Sequence, residues 1–309
     1  VTVLSGVGVG GGSLTYANTL PVPKKDFFNS GSWSELNNWE VALKPFYKIA
    51  YKMLGAAVNP KLFEADLAIK KLAKEIGKEE HFEETKVSVY FGESGKKVED
   101  PYFGGKGPDR TGCVHCGACM TGCRYNSKNT LDKNYLYLAQ QLGAEILAEK
   151  EVYNVSVMGN INGSDGYKIQ FKSTIGKKKK ESVTTEGVIF SGGVMGTVPL
   201  LLELKDTTLP RLSKKIGHNI RTNNESLISV TSTKKDYKDH SKGLAIGSIL
   251  HTDKNSHLEP VRYGEGSSFF RLLTLPTIHH KFALFRLLGL INLILKKPLK
   301  IIKTIFAKN

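Results

Sequence analysis

The chain has 309 residues, with 44 Lys and Arg against 29 Asp and Glu for a formal charge of +15; 40% of its residues are hydrophobic and 24% charged. This composition excludes a disordered chain and leaves room for one large globular domain or two ordinary ones. The basic excess is dispersed apart from Lys177–Lys180 and forms no recognisable nucleic-acid module, so no nucleic-acid partner is expected.

The first feature in chain order is GVGVGGGSLTYANTLP at 6–21. Gly6, Gly8 and Gly11 satisfy G-x-G-x-x-G, and Asp26 stands where an acidic ribose partner is sought. That fingerprint works only between a strand and a helix, whose N-terminus holds the pyrophosphate. Only five residues precede Gly6, and Pro21 and Pro23 exclude a useful helix after Gly12. The fingerprint reading fails on context. Gly10-Gly11-Gly12-Ser13 is left as a run that a backbone or a flat cofactor can approach closely, or as a plain glycine turn.

WSELNNWEVALKPFYKIAYKMLG (33–55) has helical spacing interrupted by Pro45, which predicts two helices or one kinked one. PKLFEADLAIKKLAKEIG (60–77) begins with proline and ends with glycine, as a helix does. KVSVYFG (86–92) alternates like a strand, and DPYFGGKGPDR (100–110) reads as a loop.

NTLDKNYLYLAQQLGAEI (129–146) predicts a helix capped by Gly143, then a short strand. VYNVSVMG, GYKIQFKST and ESVTTEGVIFSGG predict an antiparallel meander with turns at 160–166 and 176–180, the last a solvated lysine tip. VMGTVPLLLELK (194–205) is then a helix. Strands, glycine turn and helices alternate in an α/β (α+β) pattern.

SLISVTST and LAIGSIL predict strands of a second region beyond Asn223. The final stretch is apolar with a basic tail, and its core, Leu284–Leu295, is too short to span a bilayer. It reads as a buried helix or lid, with a membrane-surface helix as the alternative. The first residue is Val and no signal-peptide pattern follows, so the expectation is a cytoplasmic chain truncated at its N-terminus, with membrane association as the alternative.

All four cysteines fall within CVHCGACMTGC: Cys113, Cys116, Cys119 and Cys123. The spacing C-x₂-C-x₂-C-x₃-C matches the cluster-binding run of bacterial ferredoxins, with Arg124 where a proline usually follows. Disulfides this local would close very small loops and stabilise little. Zinc through four thiolates stays open, although structural zinc sites usually pair separated hairpins.

Four segments in order resemble the glucose–methanol–choline (GMC) oxidoreductases, in the branch of cholesterol oxidases and long-chain alcohol oxidases. They are GVGVGGGSLTYANTLP, DPYFGGKGPDRTGCVHCGACMTGCRYNSKNTLDKNYL, GVIFSGGVMGTVPLLLEL and LPRLSKKIGHNIRTNNESL. The resemblance implies an FAD enzyme that oxidises the CH–OH group of a hydrophobic alcohol, a sterol or long-chain alcohol, by hydride transfer to the flavin. It implies that Gly11, Gly12 and Ser13 approach the cofactor and that Asn18 lies near the isoalloxazine edge. By the same resemblance the Val152 backbone contacts adenine, while Gly192 and Gly193 form the second glycine turn. It places the diphosphate-gripping glycine motif before Val1 and the catalytic His with its partner beyond Asn309. Glu259 is the one weak candidate for a carboxylate beside the substrate, and His279-His280 lack the family's surrounding motif.

The expected organisation is a partial FAD-binding domain over 1–222 with a cysteine-rich insert at 100–130, followed by a partial substrate domain over 223–309. FAD is the expected cofactor, with an iron–sulfur cluster on the four cysteines as a further candidate. The alternatives are an iron–sulfur electron-transfer protein, with cluster and no flavin, and a basic membrane-associated binding protein, with neither.

Overall fold

A computed structural model describes residues 6–221, 225–228, 239–267, 278 and 280–299. Its helices are α1 (Lys25–Phe28), α2 (Trp39–Met53), α3 (Glu64–Glu75), α4 (Tyr135–Gln141), α5 (Val194–Asp206) and α6 (Ala283–Lys296). Short strands β1 (Ala57–Val58), β2 (Phe82–Glu84), β3 (Lys86–Val87), β4 (Lys97–Val98) and β5 (Arg110–Thr111) precede the longer β6 (Lys150–Val157), β7 (Tyr167–Ser173) and β8 (Lys180–Thr185). β9 (Ser248–His251) and β10 (His257–Leu258) follow. The mixed helix and antiparallel sheet content is that of the expected α/β (α+β) class. Two compact units divide the contacts: Val1–Leu14 with Leu136–Ser226, and Thr15–Tyr135 with Leu227–Asn309.

In the first unit β6, β7 and β8 form the antiparallel meander that strand alternation predicts. One face buries Val155 against Leu204 and Leu209, with Val157, Tyr167, Ile169 and Leu200 around them. Leu200 and Leu204 stand four apart on α5 and so present one face to the sheet. Thr208 ties the end of that helix to β6, its hydroxyl donating to the Val155 carbonyl at 2.6 Å. The lysine run lies at the exposed β7–β8 turn, with Lys180 opening β8. The stretch 187–190 is not a strand: Val188 and Phe190 pack on the core while Ile189 stays exposed.

The helix expected over 129–146 is shorter. A 3₁₀ turn at Leu131–Lys133 precedes α4, and Gly143, at φ +93°, turns the chain away. No separate strand forms between it and β6. The reason is local, since Asn134 at φ −139°, ψ −94° breaks the helical run.

In the second unit α2 runs through Pro45 as one helix. Asn38 caps it by accepting the Val41 N–H at 3.3 Å, so the helix starts at Trp39 rather than Trp33. α3 begins at Glu64, where Asp66 accepts the Phe63 N–H at 3.0 Å. β1 pairs with β3, β4 with β5, and β9 lies between β10 and β2. The strand expected over 86–92 keeps only β3 in a ladder. Beyond it Ser88 N–H bonds to Asn18 O and Tyr90 N–H to Ser127 O, so loops take the place of a neighbouring strand. LAIGSIL becomes the buried approach to β9, with Leu244, Ala245, Ile249 and Leu250 in the core. Most of SLISVTST lies outside the described residues.

α6 exposes Leu284, Phe285, Leu287, Leu288, Ile291 and Leu295. Among the described residues no helix is long and apolar enough to cross a membrane.

Asp66 and Arg262 form a buried ion pair, Nη2 to Oδ2 at 2.8 Å, with side chains 0% and 4% exposed. The contact is an ion pair without aligned hydrogen-bond geometry, as Nη2 has no hydrogen-bond partner. Arg262 Nη1 donates to the Lys242 carbonyl at 2.8 Å, and the Ser248 hydroxyl to Asp66 Oδ1 at 2.9 Å. Removing one partner strands a buried charge, which typically costs about 3–5 kcal/mol. Asp66→Ala is therefore expected to lower unfolding free energy by that amount in urea titrations. The double variant Asp66→Leu/Arg262→Met should recover most of it, and a single-variant loss below about 1 kcal/mol would contradict the assignment.

Candidate functional site

Two glycine segments lie in the first unit. Gly11–Leu14 is a 3₁₀ turn whose Ser13 hydroxyl donates to the Gly10 carbonyl at 2.6 Å. Gly11 adopts φ +55°, and a Cβ at Gly11 or Gly12 would meet nothing within 4 Å. The backbone there faces open space, as a surface for a flat ligand requires. The second segment, Gly192-Gly193, leads into α5. Gly193 caps it at φ +76°, ψ 159°, a conformation essentially reserved to glycine, and no side chain caps the helix. A free helix N-terminus of this kind favours an anionic group. Val152 lies on β6 beside the register shift that follows it, 39% exposed.

Gly11, Gly12, Ser13, Val152, Gly192 and Gly193 thus share one unit, while Asn18 and the four cysteines belong to the other. Asn18 is fully buried at φ +62°, and both its side-chain Nδ2 and Oδ1 lack a hydrogen-bond partner. Glu259 follows β10, 3.7 Å from His257 Nε2. His280 is exposed beside Phe282 and Phe285, and His279 lies outside the described residues.

The cysteine loop is held from both sides. Cys113 N–H donates to the Tyr90 carbonyl at 3.0 Å, and Gly117 N–H to Gly243 O at 2.9 Å. In return Gly243 N–H donates to His115 O at 2.8 Å. Gly117, at φ +71°, permits this closeness, because a Cβ there would collide with the Ser241 carbonyl. Cys113 and Cys119 pack on the buried cluster of Val87, Val89 and Leu244. Cys113, Cys116, Cys119 and Cys123 all line one small cavity of about 20 Å³. Lys128 lines the same cavity. The four thiols are free and half-buried. Among the described residues no group of three or more His, Cys, Asp or Glu is arranged to hold a metal ion.

Burial governs the electrostatics. It pushes the Cys113 thiol up to about 12 and the Cys119 thiol up to about 11. It pushes Lys128 down to about 8, with Cys119 and Cys123 pulling the other way. The Lys128 ammonium donates to Tyr16 O at 2.7 Å and Cys119 O at 2.9 Å, and sits 4.5 Å from the Tyr16 ring centroid. Burial, then Lys61, lowers His115, whose ring neighbours those of Phe63 and Phe91.

A polar scaffold supports this loop that sequence reading did not single out. Arg110 Nε donates to Asn129 Oδ1 at 2.6 Å, and Nη2 to the Lys133 carbonyl at 2.7 Å. Asn129 Nδ2 donates to Leu54 O and to the Tyr102 hydroxyl. Asp100 gathers the loop 100–107 by accepting the N–H groups of Tyr102, Phe103, Gly105 and Gly107 at 2.8–3.0 Å. Charged and amide side chains so close to a glycine-rich loop were the available signal, but their burial is not a sequence property.

The sequence model of the GMC oxidoreductase family matches residues 1–222. The chain is 41% identical over 281 residues to a cholesterol oxidase of Acinetobacter baumannii, covering 88% of this chain and 50% of that protein. It is 42% identical over 283 residues to a cholesterol oxidase of Mycobacterium tuberculosis (strain CDC 1551 / Oshkosh), covering 88% of this chain and 48% of that one. The chain spans about half the length of these relatives. It belongs to the GMC oxidoreductase family.

Asp100 yields a pH prediction. Desolvation raises its carboxyl, but the N–H groups of Gly107, Tyr102, Phe103 and Gly105 outweigh it and hold the group below the usual aspartate range. A carboxyl lowered on folding stabilises the fold above its unfolded pKa, about 3.9, and loses that contribution as pH falls through the folded value. Asp100→Asn is therefore expected to cost about 1–2 kcal/mol at pH 7. Denaturation curves of the two proteins should begin to draw together as pH falls below about 4, and a gap that widens in acid would contradict this reading.

Proposed function

We propose that the protein is an FAD-dependent oxidoreductase that oxidises the CH–OH group of a hydrophobic alcohol. The observation that carries this reading is the pair of glycine segments within one unit, both with open backbone faces: Cβ atoms at Gly11, Gly12 and Gly193 would meet nothing within 4 Å. Family membership supports FAD as the ligand of those faces. When bound, the flavin supplies the hydride acceptor for alcohol oxidation.

In this reading the chain's own part is to bind and orient. The backbone of Gly11–Ser13 lies against the cofactor without side chains in the way. Gly192-Gly193 presents the uncapped N-terminus of α5 to an anionic part of it. The Val152 backbone meets the adenine end. The proton of the substrate hydroxyl needs a base, and no residue of this chain is assigned that role.

The relatives' name, cholesterol oxidase, supports a sterol as substrate, with long-chain alcohols as the wider class. The exposed apolar face of α6, followed by Lys296 and Lys297, supports contact with an anionic lipid surface, where such alcohols reside. A second reading, an iron–sulfur electron-transfer protein, is favoured by the convergence of four cysteines on one cavity and predicts a cluster without flavin.

The full-length protein, purified without oxygen, is expected to show flavin absorption near ~450 nm and to reduce an artificial acceptor with cholesterol or a long-chain alcohol. Gly193→Val should lower flavin content at least about tenfold, since strain of about 1–3 kcal/mol adds to a blocked backbone face. Folded protein without flavin, or flavin that no alcohol reduces, would sink the proposal.

A further inference from the structure

We propose that Asn162 is a site of spontaneous covalent modification, at which the side-chain amide is lost through a cyclic imide formed with the backbone nitrogen of Gly163. The turn between β6 and β7 alone carries this, independently of the flavin reading.

Asn162-Gly163 is the one Asn-Gly pair in the chain. Cyclisation joins the asparagine Cγ to the next backbone nitrogen, and a side chain on the following residue hinders that approach. Glycine has no such side chain. The fold itself requires glycine here, because Gly163 adopts φ +81° and a Cβ would collide with the Tyr167 hydroxyl. The labile pair is therefore built into the turn, and a bulkier neighbour is excluded by strain.

The turn runs over 158–166, and Asn160, Ile161, Asn162, Ser164 and Asp165 are all exposed. Solvent, which must take a proton from the nitrogen and later open the ring, has access to the amide. The Gly163 N–H is held by one bond, to the Asn160 carbonyl at 3.0 Å, inside the same turn. Such exposed turn bonds open readily.

The Ser164 N–H donates to Asn162 Oδ1 at 3.0 Å. An asparagine side chain bonded to the backbone two residues on is folded back over the intervening peptide. The same N–H sits on the oxygen where negative charge develops as the nitrogen attacks, which lowers the barrier.

Neighbouring pairs lack this combination. Asp165-Gly166 has a carboxylate already engaged, Oδ2 with the Asn160 N–H at 2.7 Å and Oδ1 with the Ser164 hydroxyl at 3.2 Å, and Gly166 is buried. Asn126, before Ser127, is tied down by its own Nδ2, which donates to the Asp109 carbonyl at 2.9 Å.

In the first step the Gly163 nitrogen gives its proton to solvent and bonds to Asn162 Cγ. The Cγ–Nδ2 bond breaks, and ammonia leaves with a proton returned by solvent. Water then adds to one of the two imide carbonyls. Opening at Cγ leaves aspartate at position 162; opening at the main-chain carbonyl leaves isoaspartate, with one extra methylene in the backbone. One water is consumed and one ammonia released, with nothing oxidised or reduced. Either product puts a carboxylate into the turn that holds Asp165, and isoaspartate also lengthens the link between β6 and β7.

The test is a time course of the full-length protein at mildly alkaline pH, read by peptide mapping in the mass spectrometer and by enzymatic isoaspartate labelling. Position 162 is expected to convert at least about tenfold faster than Asn29, Asn126 and Asn255, which precede serine; a single donor on a developing oxyanion supplies more than that. Isoaspartate should accumulate there as hydrogen-exchange protection falls in β6 and β7. Asn162→Gln should lose the signal and keep that protection on storage. Conversion in the folded protein should be at least as fast as at the same position in the urea-unfolded chain. A slower rate in the folded protein, or an amide that persists at 162 while the other asparagines convert, overturns the inference. Flavin content and alcohol oxidation of fresh protein bear on the flavin reading alone, so the two can fail separately.

Discussion

The second unit depends on the buried pairing of Asp66 with Arg262. Each charge is out of water, so each must be satisfied where it lies, and the groups that satisfy them come from distant parts of the chain. Asp66 accepts from Phe63 N–H at the start of α3 and from the Ser248 hydroxyl of β9. Arg262 holds the Lys242 carbonyl, and its own N–H donates to Ala245 O. Gly243 is glycine because Arg262 occupies the space a Cβ would take. The stretch 242–248 is thereby fixed, and it forms one wall of the cysteine cavity. Its Gly243 lines that cavity, and its Ala245 N–H reaches the Cys119 sulfur.

The opposite wall is built by the same physics from other groups. The segment 86–91 has few ladder partners, so its backbone is satisfied by loops: Asn18 O, Ser127 O and the Cys113 N–H. Behind it the Arg110–Asn129–Tyr102 network and the Asp100-bound turn keep irregular backbone satisfied without helix or sheet. A loop-built site of this kind is rigid only while its buried polar groups are all paired. Asn18, buried with neither side-chain atom paired, is one exception, beside His115 Nδ1, Ser127 Oγ and the Arg262 Nε and Nη2, and marks a place where hydrogen-bonding capacity is still unspent.

Legibility in the sequence followed the range of the interaction. The meander was readable because strand alternation and turn residues act over two to four neighbours, and β6–β8 pair in the order of the chain. α5 was readable from its glycine entry and apolar run. The strand expected at 86–92 was overestimated because alternation does not tell whether a neighbouring strand exists. The helix expected over 129–146 was too long because Asn134 takes a non-helical conformation that periodicity does not reveal. α2 passed through Pro45 for a related reason: proline removes one donor but does not decide whether the rest of the helix holds.

By itself the sequence determined the glycine segments, the cysteine spacing and, through ordered motifs, membership of the GMC oxidoreductase family. These are properties of short stretches and their order. Only the tertiary structure decided that Cys123 shares a cavity with Cys113, Cys116 and Cys119. It alone buried Lys128 among them and brought the Ala245 N–H to Cys119 across 126 positions of chain. Those features rest on burial and on contacts between remote segments, which depend on how the whole unit packs and leave no mark on local spacing.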